Sequence, residues 1–310
     1  MRSFEELTDS DAGTGGVGHW IPDDVYADLI LDGVVCYGQL SGVITAMEYD
    51  FTAGGGDTIQ VRYVSPRTHS CASHTGDAVC ECLSATSTTF GTYNVPVQPW
   101  GDYDLVCGYS IWEAKGNVVA LILNEMAKRM AKCRDEYIWD RLTTGVTPNI
   151  DQESAVVCSD GVIETSCCTY TYDLYNSIVT VKQHMKGECY EPDYVIMHPE
   201  VAAYLYFKES GSAPFMAFMP GIKFDDKGNL LEVAGLKVIE TGVAERCSDT
   251  SGEVMAVVID SSRAIGEVWG KRPTFNEFYD AKCDRYEEVL WQYWGAEHLD
   301  QSAIGWISNP

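Results

Sequence analysis

The chain has 310 residues, of which 45% are hydrophobic and 22% charged, a composition typical of one elaborate or two plain globular domains. Asp and Glu number 46 against 21 Lys and Arg, which gives a formal net charge of -25 at pH 7. That balance argues against a protein that grips nucleic acid, because affinity for phosphates is carried mainly by Lys and Arg.

The first segment, residues 1–20, is a polar, Gly-rich arm that is too poor in apolar residues to fold alone. It is acidic and lacks the apolar stretch of a secretory signal, and no run in the chain reaches the roughly 18 apolar residues of a membrane span. Residues 21–44 predict a short helical segment, because Pro22 stands at a first helical position and two acidic residues follow in the first turn.

Residues 45–109 predict an extended two-stranded flap. Polarity alternates over 47–51 and 58–64 on either side of a Gly-rich turn, and a return strand runs through 93–98 after a polar tip. Pro96 and Pro99 mark the return as an edge, since each removes a ladder donor. A long two-stranded flap is unstable alone in water, so we expect it to lie on another surface, with a neighbouring copy as the natural candidate.

Residues 111–144 predict one unbroken helix that ends at Gly145. A helix of about 30 residues is about 45 Å long, more than one small domain needs, which is typical of a strut. Its apolar residues recur near helical spacing: Val118, Leu121, Ile122, Met126, Met130, Cys133, Tyr137 and Ile138. The basic residues Lys128, Arg129, Lys132 and Arg134 lie on or near the opposite side and predict a solvated or intersubunit face.

From about residue 150 the pattern changes to alternating helices and strands. A helix is predicted over 172–186, with Leu174, Ile178, Val181 and Met185 on its buried side. Further predictions are a buried strand at 194–197, a helix that opens at His198, a strand–turn–strand over 230–239, a buried strand over 253–260, and a strand-rich aromatic tail from 271.

The strongest cluster of metal-ligand residue types lies at the tip of the predicted flap. His69, Cys71, His74, Cys80 and Cys82 are five soft or borderline ligands of the kind that surround a tetrahedral zinc ion. The spacing does not match a CxxC knuckle. Three interpretations stay open: free polar residues, a disulfide of Cys71 with Cys80 or Cys82, and a metal site.

Other catalytic motifs do not fit the sequence. The Gly54–Gly56 run lacks the Lys and Ser/Thr of a phosphate loop, and no nucleophile elbow or H-E-x-x-H helix is present. His198 is interpreted as a cap or core residue. No catalytic and no cofactor-binding residue is assigned. The chain has 12 cysteines spread over its whole length, and most are expected to be small buried hydrophobes.

The order of these elements resembles the Hong Kong 97-type major capsid protein of tailed phages and archaeal tailed viruses, in the branch that includes N4-like capsids and sits beside the encapsulin shells. The segments that carry the resemblance are 56–62, 194–199, 233–238 and 264–270. The resemblance spans nearly the whole chain and rests on the order and pattern of its elements.

This resemblance implies an α+β Hong Kong 97-type fold. Its parts are an N-terminal arm (1–20), a short helical segment (21–44), an E-loop flap (45–109), a peripheral domain with the spine helix (110–149 and 266–310) and an axial domain (150–265). It also implies pentamers and hexamers that form an icosahedral shell around double-stranded DNA, with the flap lying over the adjacent subunit.

The resemblance further implies a structural protein and not an enzyme, located in the virion after assembly in the host cytoplasm. The expected partners are copies of itself and scaffolding, portal and decoration proteins; the DNA is enclosed without sequence-specific binding, and no cofactor or membrane is involved. An encapsulin-like nanocompartment shell is the alternative within the fold. A metal- or thiol-dependent enzyme using the His69–Cys82 cluster is the alternative of another class.

Overall fold

The structure is a computed structural model that describes residues 38–47, 58–64, 90–108, 118–153, 170–206, 221–226, 229–245 and 252–308. The strands in these ranges are β1 Thr45–Met47, β2 Thr58–Val64, β3 Phe90–Pro96, β4 Gln98–Cys107, β5 Ile150–Glu153, β6 Tyr194–Met197, β7 Lys223–Phe224, β8 Leu230–Val233, β9 Leu236–Glu240, β10 Val254–Ile259, β11 Ile265–Asp280, β12 Arg285–His298 and β13 Ile304–Ser308. The helices are α1 Val118–Thr143, α2 Tyr170–Gly187 and α3 Pro199–Tyr206, with a short 3₁₀ turn at Gln301–Ala303.

A four-stranded sheet is built around a long hairpin. Its order is β1-β11-β12-β4, and the hairpin strands β11 and β12 pair from Ile265 opposite His298 to Asp280 opposite Arg285. β1 joins this sheet in parallel with β11, and β4 joins it antiparallel to β12. The strand-rich tail predicted from residue 271 is therefore confirmed as the centre of this sheet.

A seven-stranded mixed sheet has the order β5-β13-β10-β6-β9-β8-β7. Its strand β6 has the predicted bounds 194–197, and the strand–turn–strand over 230–239 is confirmed as β8 and β9. β10 is buried along its whole length, as its unbroken apolar run predicts. The final strand β13 lies between β5 and β10, so the end of the chain pairs within this sheet, whereas the expected division groups it with 266–310.

Helix α1 bridges the two sheets. Its first half packs Leu123 and Met126 against Leu290 of β12, and its second half packs Ile138 and Leu142 into the core that includes β10. The helix is confirmed over 118–143, its predicted first residues lie outside the described ranges, and Gly145 follows it with a φ of 69°. That left-handed conformation suits glycine at a helix end.

The predicted faces of α1 need correction. Leu121 is 68% exposed and Cys133 is exposed, whereas Leu123 and the basic residue Arg134 are buried. The prediction fails because the helix packs on different sheets along its length, so no single stripe of spacing describes its buried side. By contrast, helix α2 buries all four of its predicted residues fully.

The flap is described through β2 and β3, which form a separate two-stranded antiparallel sheet with Thr58 opposite Pro96 and Val64 opposite Phe90. Its base passes close over β12, because a Cβ at Gly295 would overlap the carbonyl oxygen of Pro96. The described helices include none with the length and apolar character that a bilayer crossing requires.

Candidate functional site

The four-stranded sheet has one covered face and one open face. Side chains alternate between the faces along each strand, and residues opposed across antiparallel strands share a face. Leu290 of β12 is fully buried under α1, while its neighbour Trp291 is 43% exposed. We call the side under α1 the inner face and the opposite side the outer face.

The outer face carries a patch of large apolar side chains. Leu105 of β4 and Phe278 of β11 both pair with Glu287 of β12, which places them on the same side of the sheet. The exposed members of the patch, each 42–55% exposed, are Tyr103, Leu105, Phe278, Trp291 and Tyr293.

The size of this patch can be estimated. At about half exposure of side chains that each present roughly 200 Å², the five residues expose about 400–500 Å². A patch of this size lies within the range of the largest apolar patch on a typical monomer, about 300–600 Å², and such patches are often functional. It is also about half of the roughly 800 Å² that each partner contributes to a standard interface.

Two backbone N–H groups on the free edge of β4 are already hydrogen-bonded. Asp102 accepts a hydrogen bond from the N–H of Tyr103 at 2.9 Å, and Asp104 accepts one from the N–H of Leu105 at 2.8 Å. Arg129 of α1 holds the same two carboxylates at 2.9 Å and 3.3 Å. Because these donors are already used, an added strand would find them occupied, a common protection of sheet edges.

A buried ion pair fixes α1 to the inner face. The Arg134 guanidinium donates to Glu267 of β11 at 3.1 Å, and the Trp294 indole donates to the same carboxylate oxygen at 3.0 Å. The guanidinium also lies 4.4 Å from the ring centre of Trp269 and 5.1 Å from that of Trp294. Burial lowers the pKa of Arg134, and the adjacent Glu267 carboxylate opposes that shift.

The neighbouring residue Asp135 connects α1 to the segment before β1. Its carboxylate accepts hydrogen bonds from the N–H groups of Gln39 at 2.8 Å and Leu40 at 3.1 Å. Burial raises the pKa of Asp135, and these two backbone donors oppose the rise by stabilising the charged form. The segment that enters the four-stranded sheet is thus held by the same turn of α1 that carries Arg134.

Glu288 is an unusual residue on the inner face. Its side chain is fully buried, and neither carboxyl oxygen has a hydrogen-bond partner. Burial is the largest cause that raises the pKa of Glu288, to about 8, and the charges of Glu277 and Asp104 act in the same direction. The sequence pattern of the tail does not predict that Glu288 is buried, since a Glu in a strand is ordinarily assigned to the solvent-exposed side.

The residues predicted as metal or disulfide candidates, His69, Cys71, His74, Cys80 and Cys82, lie outside the described ranges. Within those ranges no group of three or more His, Cys, Asp or Glu residues is arranged to hold a metal ion. The expectation that most cysteines are buried is wrong for the four in these ranges, because Cys107, Cys133, Cys189 and Cys283 are exposed free thiols.

His198 has the role that its position before Pro199 predicts. It is buried, and its Nδ1 accepts a hydrogen bond from the N–H of Glu200 at 3.1 Å. This satisfies one of the free donors in the first turn of α3, so His198 is a helix cap.

No protein-family model matches the sequence, and no match to a curated protein was found. Solved structures do match. A chain of the capsid structure of the Cyanophage P-SCSP1u has a TM-score of 0.65 at 13% identity, over 86% of this chain and 86% of that chain. A chain from the asymmetric unit of the bacteriophage PhiM1 mature capsid has a TM-score of 0.62 at 10% identity, over 98% and 91%. The chain has the fold of phage capsid proteins.

The same fold occurs in the capsid of a native GTA particle, with a TM-score of 0.60 at 8% identity over 98% of this chain and 96% of that chain. These matches confirm the mixed helix-and-sheet fold and its likeness to capsid proteins. Because each match spans most of both chains, the likeness includes both large sheets and not one isolated motif.

Proposed function

We propose that this chain is the major capsid protein of a tailed phage or archaeal tailed virus, of the Hong Kong 97 type and in the N4-like or encapsulin-related branch. In this proposal it assembles with copies of itself into pentamers and hexamers, which form an icosahedral shell around double-stranded DNA. The observation that carries the proposal is the near full-length match to capsid chains.

The parts of the chain have separate roles in this proposal. Residues 1–20 are the N-terminal arm, 45–109 the E-loop, 110–149 and 266–310 the peripheral domain, and 150–265 the axial domain, with the 21–44 segment between arm and flap. We make one exception to this division: β13, although within 266–310, is assigned to the axial domain because it pairs with β5 and β10.

The outer face supports an assembly role. Its patch of about 400–500 Å² of large side chains stays open in the single chain, and a second copy of the same chain is the occupant we propose. Half a standard interface per copy is too little alone, so the flap and arm supply the remainder. A net charge of -25 makes copies repel one another, which apolar contacts and screening by salt must overcome.

The proposal gives the chain a structural and not a catalytic role, with the virion as its location and the host cytoplasm as the place of assembly. Scaffolding, portal and decoration proteins are its proposed further partners. The enclosed DNA is held by the closed shell and not by base-specific contacts, which agrees with the excess of acidic residues.

The first test is electron microscopy of the purified chain and of a variant that lacks residues 60–95. We expect shells, tubes or capsomer rings from the complete chain and soluble subunits from the deletion. A complete chain that stays a monodisperse monomer at every salt concentration would refute the proposal, and normal particles from the deletion would refute the role of the flap. Shells that copurify with a packaged protein and no nucleic acid would favour the encapsulin alternative.

A second test addresses the outer face. Each of Tyr103→Ser and Phe278→Ser removes about 100 Å² of apolar surface, worth about 2.5 kcal/mol when fully covered. We expect the double variant to need at least about a hundredfold higher concentration to assemble, measured by light scattering. Leu121→Ser is the matched control because its exposed side chain lies on α1. Equal effects of the control and the double variant would exclude a specific role for the outer face.

A further inference from the structure

Three carboxylates stand in line across the inner face of the four-stranded sheet. Glu288 of β12 pairs directly with Asp104 of β4 on one side and with Glu277 of β11 on the other. Residues opposed in this way have Cβ atoms about 4.5–5.5 Å apart. Glu288, the middle residue, is fully buried, whereas the side chain of Asp104 at one end is 40% exposed. Solvent therefore screens the charge of Asp104 more than it would screen a charge on Glu288.

The positive charges of the adjacent helix are engaged elsewhere. Arg129 binds Asp104 at 3.3 Å together with Asp102, and Lys128 pairs with Glu125 at 3.7 Å. Among the described residues no cation pairs with Glu288. A buried carboxylate without a hydrogen bond or an opposite charge is costly to ionise, and it takes up a proton instead.

We propose that Glu288 is a pH-sensitive switch between helix α1 and the four-stranded sheet. When Glu288 is protonated and neutral, its side chain can stay buried while α1 packs on the inner face. Loss of that proton at alkaline pH places a third negative charge between Glu277 and Asp104, and α1 then loosens from the sheet. Outer-face residues alternate with Glu288 on the same strand, so assembly should weaken together with this contact; that consequence alone rests on the proposed function.

The direction of the pH dependence follows from the raised pKa. The pKa of Glu288 rises from 4.5 to about 8 in the folded chain, so the folded state binds more protons than the unfolded state between these values. Stability therefore falls as the pH rises through this window, by up to about tenfold in the folding equilibrium constant per pH unit, and the loss is complete above about pH 8.

The test is a comparison of wild type with Glu288→Gln, which keeps the shape of the side chain and cannot ionise. Urea unfolding is followed from about pH 5 to about pH 10 at concentrations that keep the subunits dissociated. We expect the folding constant of the variant to exceed that of wild type by a factor that grows with pH, reaches at least about a hundredfold near pH 8, and then stays constant. A ratio that does not change with pH overturns the proposal.

Two further variants make the result specific. Glu136→Gln, an exposed residue of α1 that pairs with Lys132, is the control and should follow the wild-type pH profile. Glu277→Gln keeps Glu288 and removes one neighbouring charge. The pH at which the loss of stability is complete should therefore be lower in this variant than in wild type. An unchanged pH would show that Glu277 does not act on Glu288. Hydrogen-exchange protection of the α1 amides, corrected for the intrinsic pH dependence of exchange, should fall in wild type between about pH 5 and about pH 8 and should not fall in Glu288→Gln. Because all measurements use single subunits, failure of shell formation does not affect them.

Discussion

The buried ion pair between Arg134 and Glu267 gives a prediction that tests how α1 is held. Arg134→Met keeps a long side chain that packs against the two tryptophans but removes the guanidinium. The Glu267 carboxylate then stays buried, and within the described ranges the Trp294 indole remains as its hydrogen-bond donor. Removing one partner of a buried pair costs about 3–5 kcal/mol, because an uncompensated charge is left inside.

The magnitude can be separated into parts by a double-mutant cycle. Stacking of the guanidinium on the rings at 4.4 Å and 5.1 Å contributes up to about 2 kcal/mol where it is desolvated. Replacing Glu267 by Gln in the Arg134→Met background removes the stranded charge and keeps an acceptor for the indole. We expect the double variant to recover part of the loss, with a coupling free energy of about 1–3 kcal/mol.

The assay is urea unfolding of dissociated subunits, followed by tryptophan fluorescence at constant pH. Arg129→Met on the same helix is the matched control, since its pairs with Asp102 and Asp104 are partly solvated and should be worth about 1 kcal/mol or less. The reasoning is refuted if Arg134→Met costs no more than the control. It is also refuted if the free-energy effects of Arg134→Met and Glu267→Gln simply add in the double variant.

Two further substitutions test the contacts that position the sheet. Gly295→Ala should destabilise the subunit by about 1–3 kcal/mol, because its Cβ would overlap the Pro96 carbonyl oxygen and force the flap base away from β12; unfolding with an unchanged midpoint would show that the flap base yields freely. Asp135→Ala should cost about 2 kcal/mol, since the N–H groups of Gln39 and Leu40 lose their acceptor, and a loss below about 0.5 kcal/mol in the same assay would contradict that account.

The elements that the sequence predicts well are those whose environment is uniform. Helix α2 buries Leu174 and Ile178 on one side because it packs on a single sheet, so helical spacing is sufficient. Strand β10 is buried on both faces, and its unbroken apolar run follows directly. In both cases the buried side chains have uniformly apolar surroundings, so the local sequence pattern is sufficient to predict which residues are buried.

The candidate site is less predictable because its chemistry depends on distant pairs. Arg134 and Glu267 are 133 positions apart, so a basic residue on α1 is wrongly assigned to solvent from its own neighbourhood. The pKa of Glu288 is raised first by burial in the folded sheet, and β4 and β11 add to that rise by bringing Asp104 and Glu277 beside it. The outer face is hidden for another reason: β12 carries aromatic residues on both faces, so its alternation does not say which side α1 covers.

The occupied donors along β4 have a consequence for how shells of this kind form. An open edge would let subunits join through a continuous ladder of backbone hydrogen bonds, and such joins are hard to undo. Because the N–H groups of Tyr103 and Leu105 are engaged by their neighbouring carboxylates, contacts made at this edge in the proposed shell would depend on side chains. If the chain assembles as proposed, a misplaced subunit at this edge could dissociate and rebind, so that a growing particle would correct errors there before it closes.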